Sequence, residues 1–195
     1  MRTIGRLGFT LLLLIASSAL PARGRAQGPE WRLDVMAPRF GVGYVLRDAG
    51  RDDLFGELDL ELRLVHATGH GVSLRGGIAV GGTSTYPMID GDYVFRGQLL
   101  GDARLGLVLD VMAGLTGGTA TDCVGLFGCT NGPAIDGGRF GGNAGASLAF
   151  EAYGFVLDLD VRYRLLVPTD RALADEIWEP EHVLVVTGGI GFRFY

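Results

Sequence analysis

The chain has 195 residues, a length typical of one domain, and 48% of them are hydrophobic while 20% are charged. Its formal net charge is −5, and this acidic balance argues against a nucleic-acid partner. Glycine is abundant at 33 residues, but it is spread along the chain without the period of three that a collagen triple helix requires.

The N-terminal segment has the pattern of a secretory signal. Arg2 and Arg6 precede a short apolar run over residues 9–20, and the small residues around the Gly-Arg-Ala sequence that ends at Ala26 suit signal peptidase. The run is about a dozen residues, against the roughly twenty of a membrane-spanning helix. We predict that residues 1–26 are a cleaved signal peptide and 27–195 the mature domain, with an uncleaved anchor as the alternative. Loss of the four arginines in this segment takes the net charge to −9.

Eight segments of the mature part alternate apolar and polar residues, which is typical of β-strands with two chemically different faces. In ELDLELRLVH (57–66), leucines alternate with Glu57, Asp59, Glu61 and Arg63; FVLDLDVRYRLLV (155–167) is equally regular. The predicted strands cover about 35–47, 54–66, 72–82, 92–100, 103–115, 139–152, 155–167 and 182–195.

The predicted connections also alternate. Those after the second, fourth and sixth strands are tight, whereas those at about 48–53, 83–91, 116–138 and 168–181 are longer. Short turns at one end and long loops at the other indicate an all-β fold, an eight-stranded antiparallel up-and-down transmembrane β-barrel. A Greek-key sandwich is not expected to sort its connections in this way.

The polar face carries nearly balanced charges, although the mature chain is acidic. Charges enclosed in a narrow lumen need partners, and arginine binds carboxylates with two parallel hydrogen bonds. We therefore predict a lumen ion-pair network of Glu57, Asp59, Glu61, Arg63, Arg75, Arg96, Arg104, Asp110, Glu151, Asp158, Asp160, Arg162 and Arg164. Arg39 and Arg193 share this face, and the surplus of acidic residues, among them Asp90, is assigned to the loops.

The opposite face is apolar and is predicted to contact lipid. Leu, Val, Ile and Ala fill its centre, and in the first strand it includes Met36. Aromatic residues form two belts, a distribution that a bilayer selects. The belt near the long loops contains Tyr44, Tyr93, Phe95 and Phe140, and the belt near the tight turns contains Phe150, Phe155, Phe192 and Phe194.

The chain ends in GGIGFRFY, where Ile190, Phe192 and Phe194 alternate before Tyr195. This end resembles the last strand of bacterial outer-membrane barrels, although the aromatic Phe194 is penultimate here. With eight strands, the mature chain resembles the small barrels of the outer-membrane protein A and X type. The resemblance implies a bacterial outer-membrane location, contact with lipid and lipopolysaccharide, and insertion by the barrel-assembly machinery, which reads those four residues.

An eight-stranded barrel has an interior just wide enough for side chains to fill it. We therefore expect a charge-filled lumen, at most a narrow porin-like pore, and a structural or surface-interaction role in adhesion or envelope integrity. One alternative is a lipid-A-modifying enzyme, which would need a serine, a histidine and an acid in proximity. His66, His70 and His182 share no suitable face with Ser73, Ser84 or Ser147, so no catalytic, cofactor or metal site is predicted. The other alternative is a secreted soluble β-barrel that acts as a binding module.

The longest predicted loop contains the only two cysteines, Cys123 and Cys129. In an exported protein such a pair predicts a local disulfide, and the spacing without a nearby histidine is a poor metal site. Leu126 and Phe127 lie between them, which makes the long loops a candidate site for an extracellular ligand.

Overall fold

A computed structural model describes residues 30–46, 53–81, 84–102, 104–121, 135–169 and 181–194. Each strand pairs antiparallel with the next, and β1 pairs with β8, so the predicted eight-stranded barrel is confirmed. Among the described residues no helix is long and apolar enough to cross a bilayer. The strands are β1 Trp31–Leu46, β2 Asp53–His66, β3 His70–Gly81, β4 Ser84–Gly101, β5 Leu105–Thr121, β6 Ile135–Ala152, β7 Phe155–Pro168 and β8 Glu181–Phe194.

The two faces of the wall are sorted as the alternation predicts. In β2 the leucines at 58, 60, 62 and 64 are 37–49% exposed on the outside, while Glu61 and Arg63 between them are fully buried inside. Successive side chains of a strand point to opposite faces, so every second residue, which here is the polar one, is directed into the lumen. The barrel thus has a polar interior and an apolar exterior, the reverse of a water-soluble protein.

Three tight turns lie at the end of the barrel where β1 begins and β8 ends. They join β2 to β3, β4 to β5 and β6 to β7, as predicted. In the last of them Tyr153 and Gly154 have φ of 50° and 86°. Two successive positive φ values are characteristic of the two-residue type I′ hairpin turn, whose twist matches that of the flanking strands.

The strand β4 is longer than the alternation predicts, and the prediction of a long loop at 83–91 is wrong. Ser84 pairs with Gly81, Pro87 with Ile78 and Asp90 with Arg75, so this stretch lies in the wall. Its Pro, Asp and Gly residues favour turns locally, but pairing with both neighbouring strands overrides that preference. β5 and β6 also extend beyond their predicted ends, to Thr121 and back to Ile135.

The longer β4 also moves two aromatic residues. Tyr93 pairs with Val72 and Phe95 with His70, next to the tight turn between β2 and β3. Their predicted position in the belt near the long loops is therefore wrong, because that prediction placed the start of the strand too late.

A β-bulge in β1 reverses the predicted orientation of Met36. Met36 pairs with Glu61 and Arg39 with Asp59, so Ala37 and Pro38 face a single residue of β2. Both Met36 and Arg39 consequently point into the lumen, and both are fully buried. The predicted outward orientation of Met36 is wrong because a strict period of two does not continue through a bulge.

Glycines on the inner wall make room for large side chains. A Cβ at Gly43 would collide with the ring of Phe55, and a Cβ at Gly189 would collide with the side chain of Arg39. These two glycines allow a phenylalanine and an arginine to lie across the narrow interior.

Candidate functional site: the barrel lumen

Seven arginines and ten carboxylates among the described residues face the lumen and form what we call the lumen network. All are buried, the most exposed side chain being that of Arg96 at 8%. All eight strands contribute to it, because every strand directs alternate residues inward. Its members are Asp34, Arg39, Glu57, Asp59, Glu61, Arg63, Arg75, Asp90, Asp92, Arg96, Asp110, Glu151, Asp158, Asp160, Arg162, Arg164 and Arg193.

At the tight-turn end the network closes the seam between the first and last strands. Arg193 of β8 donates two hydrogen bonds to its register partner Asp34 of β1, with Nε–Oδ1 and Nη2–Oδ2 distances of 2.6 and 2.8 Å. Arg193 also binds Glu151 of β6. Arg96 of β4 reaches Asp34 at 2.8 Å and donates two 2.7 Å bonds to Asp110. Five strands, β1, β4, β5, β6 and β8, are therefore held together here.

Arg63 and Arg39 carry the network through the middle of the barrel. Arg63 donates to Glu61 at 2.9 and 2.7 Å and also binds Asp110. Arg39 of β1 binds Glu61 and reaches past β8 to Asp158 of β7, at 3.1 Å. Both guanidinium groups are fully buried, so their charge is balanced by these carboxylates and not by water.

Towards the other end three arginines share the remaining acids. Arg164 donates two bonds of 2.7 and 2.9 Å to Glu57 and one of 2.7 Å to Asp90. Arg162 donates to Asp92 at 2.5 Å and to Asp90 at 3.3 Å. Arg75 connects this group to the middle, since it binds Glu57, Asp59 and Asp160 at 3.1, 2.5 and 3.2 Å. The network is thus continuous from Arg193 to Arg162.

Apolar side chains fill the inward positions that the network leaves. Two clusters lie beside the ion pairs of the tight-turn half, and a third lies beyond Arg164, where Leu166 is the next inward residue of β7. The described interior is therefore filled by the ion pairs of the lumen network and by these apolar clusters. The clusters are Met36, Val108, Ala149 and Val156; Val65, Val94 and Met112; and Leu166, Val183 and Val185, against which Val45, Phe55 and Met88 pack.

Of the thirteen residues predicted for the lumen, the structure places twelve in the network and one outside it. Arg104 is exposed in the turn before β5, which starts only at Leu105. The Asp102 carboxylate accepts hydrogen bonds from the backbone N–H groups of Arg104 and Leu105, at 2.7 and 3.1 Å. These bonds fix the turn and lower the pKa of Asp102. The prediction for Arg104 is wrong because Arg104 belongs to the turn, whereas the alternation assigned it to the strand.

Five inward polar residues were missed, and one of them is Thr116 of β5, which is 1% exposed but was assigned to the loop at 116–138. Asp34 precedes the predicted start of the first strand, and Asp90 was assigned to a loop. Asp92 stood at a strand start and was given no role, although its spacing of two from Asp90 continues the alternation. The hydroxyl of Thr187 accepts bonds from Arg39 and Arg75, both at 3.1 Å.

Serine and histidine side chains lie on opposite sides of the wall. Ser73 and Ser147 point inward and donate to Asp92 and Asp158, each at 3.2 Å. His70 and His182 are on the outer face, hydrogen-bonded to Tyr93 and Tyr163. The side chain of Ser84 is not among those described. Within the described part of the chain, no group of three or more His, Cys, Asp or Glu residues is arranged to hold a metal ion.

The outer face forms an apolar belt with aromatic residues at both ends. Towards the tight turns, Trp31 packs edge-on against His66 with ring centroids 4.9 Å apart, and Phe155 packs in the same way against Phe192 at 5.9 Å. Tyr44 and Phe140 are 40% and 52% exposed at the opposite end. Such a surface is suited to hydrocarbon between two interfacial layers.

The residues of the predicted insertion signal lie on this belt as far as they are described. Ile190, Phe192 and Phe194 are 43%, 59% and 55% exposed on the outer face of β8. Tyr195, Cys123, Cys129 and the predicted signal peptide at residues 1–26 lie outside the described residues.

Solved structures that are similar to this chain include small outer-membrane barrels. The chain is similar to Ail, the attachment invasion locus protein of Yersinia pestis (TM-score 0.55, 15% identity, covering 84% of this chain and 97% of that one). It is also similar to the N-terminal β-barrel domain of Pseudomonas aeruginosa OprF, with a TM-score of 0.54 and 13% identity, covering 86% of this chain and 100% of that one. A third similar structure is Neisserial surface protein A, with a TM-score of 0.56 and 7% identity, covering 85% of this chain and 98% of that one. No family model and no curated protein sequence matches the chain. The fold, together with the apolar belt, is that of a bacterial outer-membrane β-barrel, as predicted.

Proposed function

We propose that this chain is a non-enzymatic outer-membrane barrel with a closed lumen, and that its role is structural or lies at its cell-surface end. The observation that carries this proposal is the lumen network, which links all eight strands without interruption. An ion crossing the barrel would have to separate several multiply bonded arginine–carboxylate pairs in succession and then pass the apolar cluster at Leu166. Both steps oppose conduction, because breaking a buried pair leaves an uncompensated charge and apolar constrictions exclude water.

The surface role is proposed for the long connections, which lie opposite the tight turns. Ail has been solved in complex with the heparin analogue sucrose octasulfate. The long connections of this chain that lie outside the described residues, 47–52, 122–134 and 170–180, carry seven acidic residues and three arginines. A polyanion would be repelled by that balance, so we propose a neutral or cationic partner here. A disulfide between Cys123 and Cys129 would hold Leu126 and Phe127 at the surface for such a contact.

The route to the membrane forms part of the same proposal. Residues 1–26 would direct export and be removed, and the outer face of β8 would be read by the barrel-assembly machinery. The apolar belt would then contact outer-membrane lipid and lipopolysaccharide. N-terminal sequencing of the protein extracted from outer membranes tests the cleavage after Ala26.

Conductance in planar lipid bilayers tests the closed lumen. The barrel should insert without a steady ohmic current at neutral pH, while a sixteen-stranded porin in the same membrane serves as the positive control. Correct insertion is checked by the different migration of unboiled and boiled samples in gel electrophoresis. A reproducible open channel from the folded protein would contradict the proposal.

The enzyme alternative has a separate test. Mass analysis of lipid A from cells with and without this chain should give the same acyl pattern, because the described serines and histidines do not meet. A changed pattern would establish the enzyme alternative in place of the proposed structural role.

A further inference from the structure

The apolar belt contains a groove on the part of the wall formed by β3, β4, β5 and β6, with a volume of about 680 Å³. Three of its lining residues are glycines, Gly76 of β3, Gly91 of β4 and Gly117 of β5. Each follows a buried, inward-facing residue, so each faces outward. A Cβ at Gly76 or Gly91 would meet no atom within 4 Å, and one at Gly117 would meet none closer than 3.6 Å. The groove therefore lies where three outward side chains are missing.

The larger outward side chains beside these glycines form the sides of the groove. Gly117 pairs with Ile89 on one side and with Phe140 on the other, and Gly91 pairs with Leu115. Ile89, Leu115 and Phe140 are 52–62% exposed. Adjacent strands are about 4.8 Å apart, so the residues on either side of Gly117 are about 9.6 Å apart. An acyl carbon contacts its neighbours at about 3.5–4.0 Å and needs about 7–8 Å between them, so a single hydrocarbon chain fits over the glycine.

The groove lies in the half of the belt next to the long connections. Phe140 belongs to the aromatic residues at that end, and Pro87 and Thr119, which also line the groove, are close to the strand ends Ser84 and Thr121. The long loops of an outer-membrane barrel are extracellular, so this half of the wall faces the outer leaflet. The lipid of that leaflet is lipopolysaccharide, whose lipid A part carries several acyl chains.

The shape and chemistry of the groove favour a flexible chain over a second copy of the protein. In a two-fold dimer the same patch of both copies meets, so two concave surfaces would face each other and leave a void between them. None of the described lining residues is charged. Association inside a bilayer depends on close van der Waals packing because the surrounding lipid is equally apolar. A hydrocarbon chain can follow a concave wall closely, whereas a second groove cannot.

We propose that this groove binds one acyl chain of the lipid A part of lipopolysaccharide in the outer leaflet. A cavity of about 150 Å³ holds the six carbons of benzene, so a groove of about 680 Å³ has room for a chain of a dozen or more carbons. The side chains of Ile89 and Phe140 contact the chain from both sides while Gly91 and Gly117 form the floor. This inference rests on the proposed outer-membrane location and adds a lipid-binding site to it.

Native mass spectrometry of the intact barrel tests this site. The protein is extracted in mild detergent from the outer membranes of cells that make a truncated lipopolysaccharide of uniform mass, and free lipid is removed by gel filtration. The mass of any bound molecule then distinguishes lipopolysaccharide from phospholipid and from a second copy of the chain. We expect one lipopolysaccharide molecule per barrel. A second sample, refolded in detergent without lipid, should bind added lipid A in the same ratio.

Leucine substitutions that fill the groove separate this site from the rest of the belt. Gly91→Leu combined with Gly117→Leu should lower the retained lipopolysaccharide about fivefold or more, because the side chains occupy the space of the acyl chain. Neither glycine has a positive φ, so leucine is compatible with the backbone. Gly188→Leu is the matched control, since this outward glycine of β8 lies outside the groove and its Cβ would be 3.8 Å from the nearest atom. Folding is checked by gel migration before boiling, and Gly91→Leu alone replaces the double variant if that does not fold.

Four results would overturn the proposal. The first is a folded wild-type barrel without bound lipopolysaccharide, and the second is phospholipid bound in its place. The third is equal retention by the leucine variant and the control, which would place the lipid elsewhere on the belt. The fourth is a dimer that the leucine variant abolishes, which would assign the groove to a second copy. All four concern a barrel recovered from outer membranes, whereas absence of the protein from that membrane would refute the proposed location itself.

Discussion

Replacing Arg164 by alanine removes an arginine with three short hydrogen bonds from the long-loop half of the lumen network. The wild-type side chain donates three hydrogen bonds of 2.7–2.9 Å to Glu57 and Asp90. In the variant, the only arginine contact left to Glu57 is Arg75 at 3.1 Å, and the only one left to Asp90 is Arg162 at 3.3 Å. Two buried carboxylates are thereby left poorly compensated. Removal of one partner from a buried pair costs about 3–5 kcal/mol, and we expect a loss of unfolding free energy of this size.

Arg104→Ala is the matched control, because it removes the same side chain from an exposed turn. Its effect should be within about 0.5 kcal/mol of zero. Urea titration in lipid vesicles, followed by tryptophan fluorescence and by the migration of unboiled samples, measures both variants. The combination Glu57→Gln with Arg164→Ala should cost less than the sum of the single changes, by roughly 0.5–3 kcal/mol. If Arg164→Ala were as stable as Arg104→Ala, the argument that the network holds the barrel together would be refuted.

Three further variants test the wall. Leu60→Arg should destabilise the barrel by about 2–4 kcal/mol relative to Leu60→Ala in vesicle urea titrations, because it places a charge in the lipid-facing belt; equal midpoints would argue against lipid contact. Gly189→Ala should cost about 1–3 kcal/mol because its methyl group collides with Arg39. Gly76→Ala, with nothing within 4 Å, should be neutral in the same titration, and similar losses for both glycines would contradict the inner-wall packing. Phe192→Ala should reduce assembly in cells, measured as folded protein in outer membranes, more than refolding into detergent; equal effects would argue against a recognition signal in β8.

Much of the lumen was predictable because alternation along a strand follows from backbone geometry alone. In β2 and β7 every polar residue assigned to the interior lies there, since neither strand contains a bulge or an internal turn residue. The eight segments and the tight turns between them were predictable for the same reason.

The errors occur where the pairing partner, and not the local sequence, decides the structure. Asp90 lies in a stretch with proline and glycine, yet β3 and β5 hold that stretch in the wall. Met36 points inward because Ala37 and Pro38 oppose one residue of β2. Arg104 does not lie in the lumen because the turn that Asp102 stabilises extends beyond the predicted start of β5 and includes Arg104.

In regular strands such as β2 and β7, the sequence by itself determined which side chains belong to lipid and which to the interior, because a period of two separates them before any strand is paired. Only the tertiary structure decided which charges meet. Arg193 binds Asp34, 159 residues away, and Arg164 binds Glu57, 107 residues away. Such partners are set by the register and by the closure of β8 on β1, which no local pattern encodes.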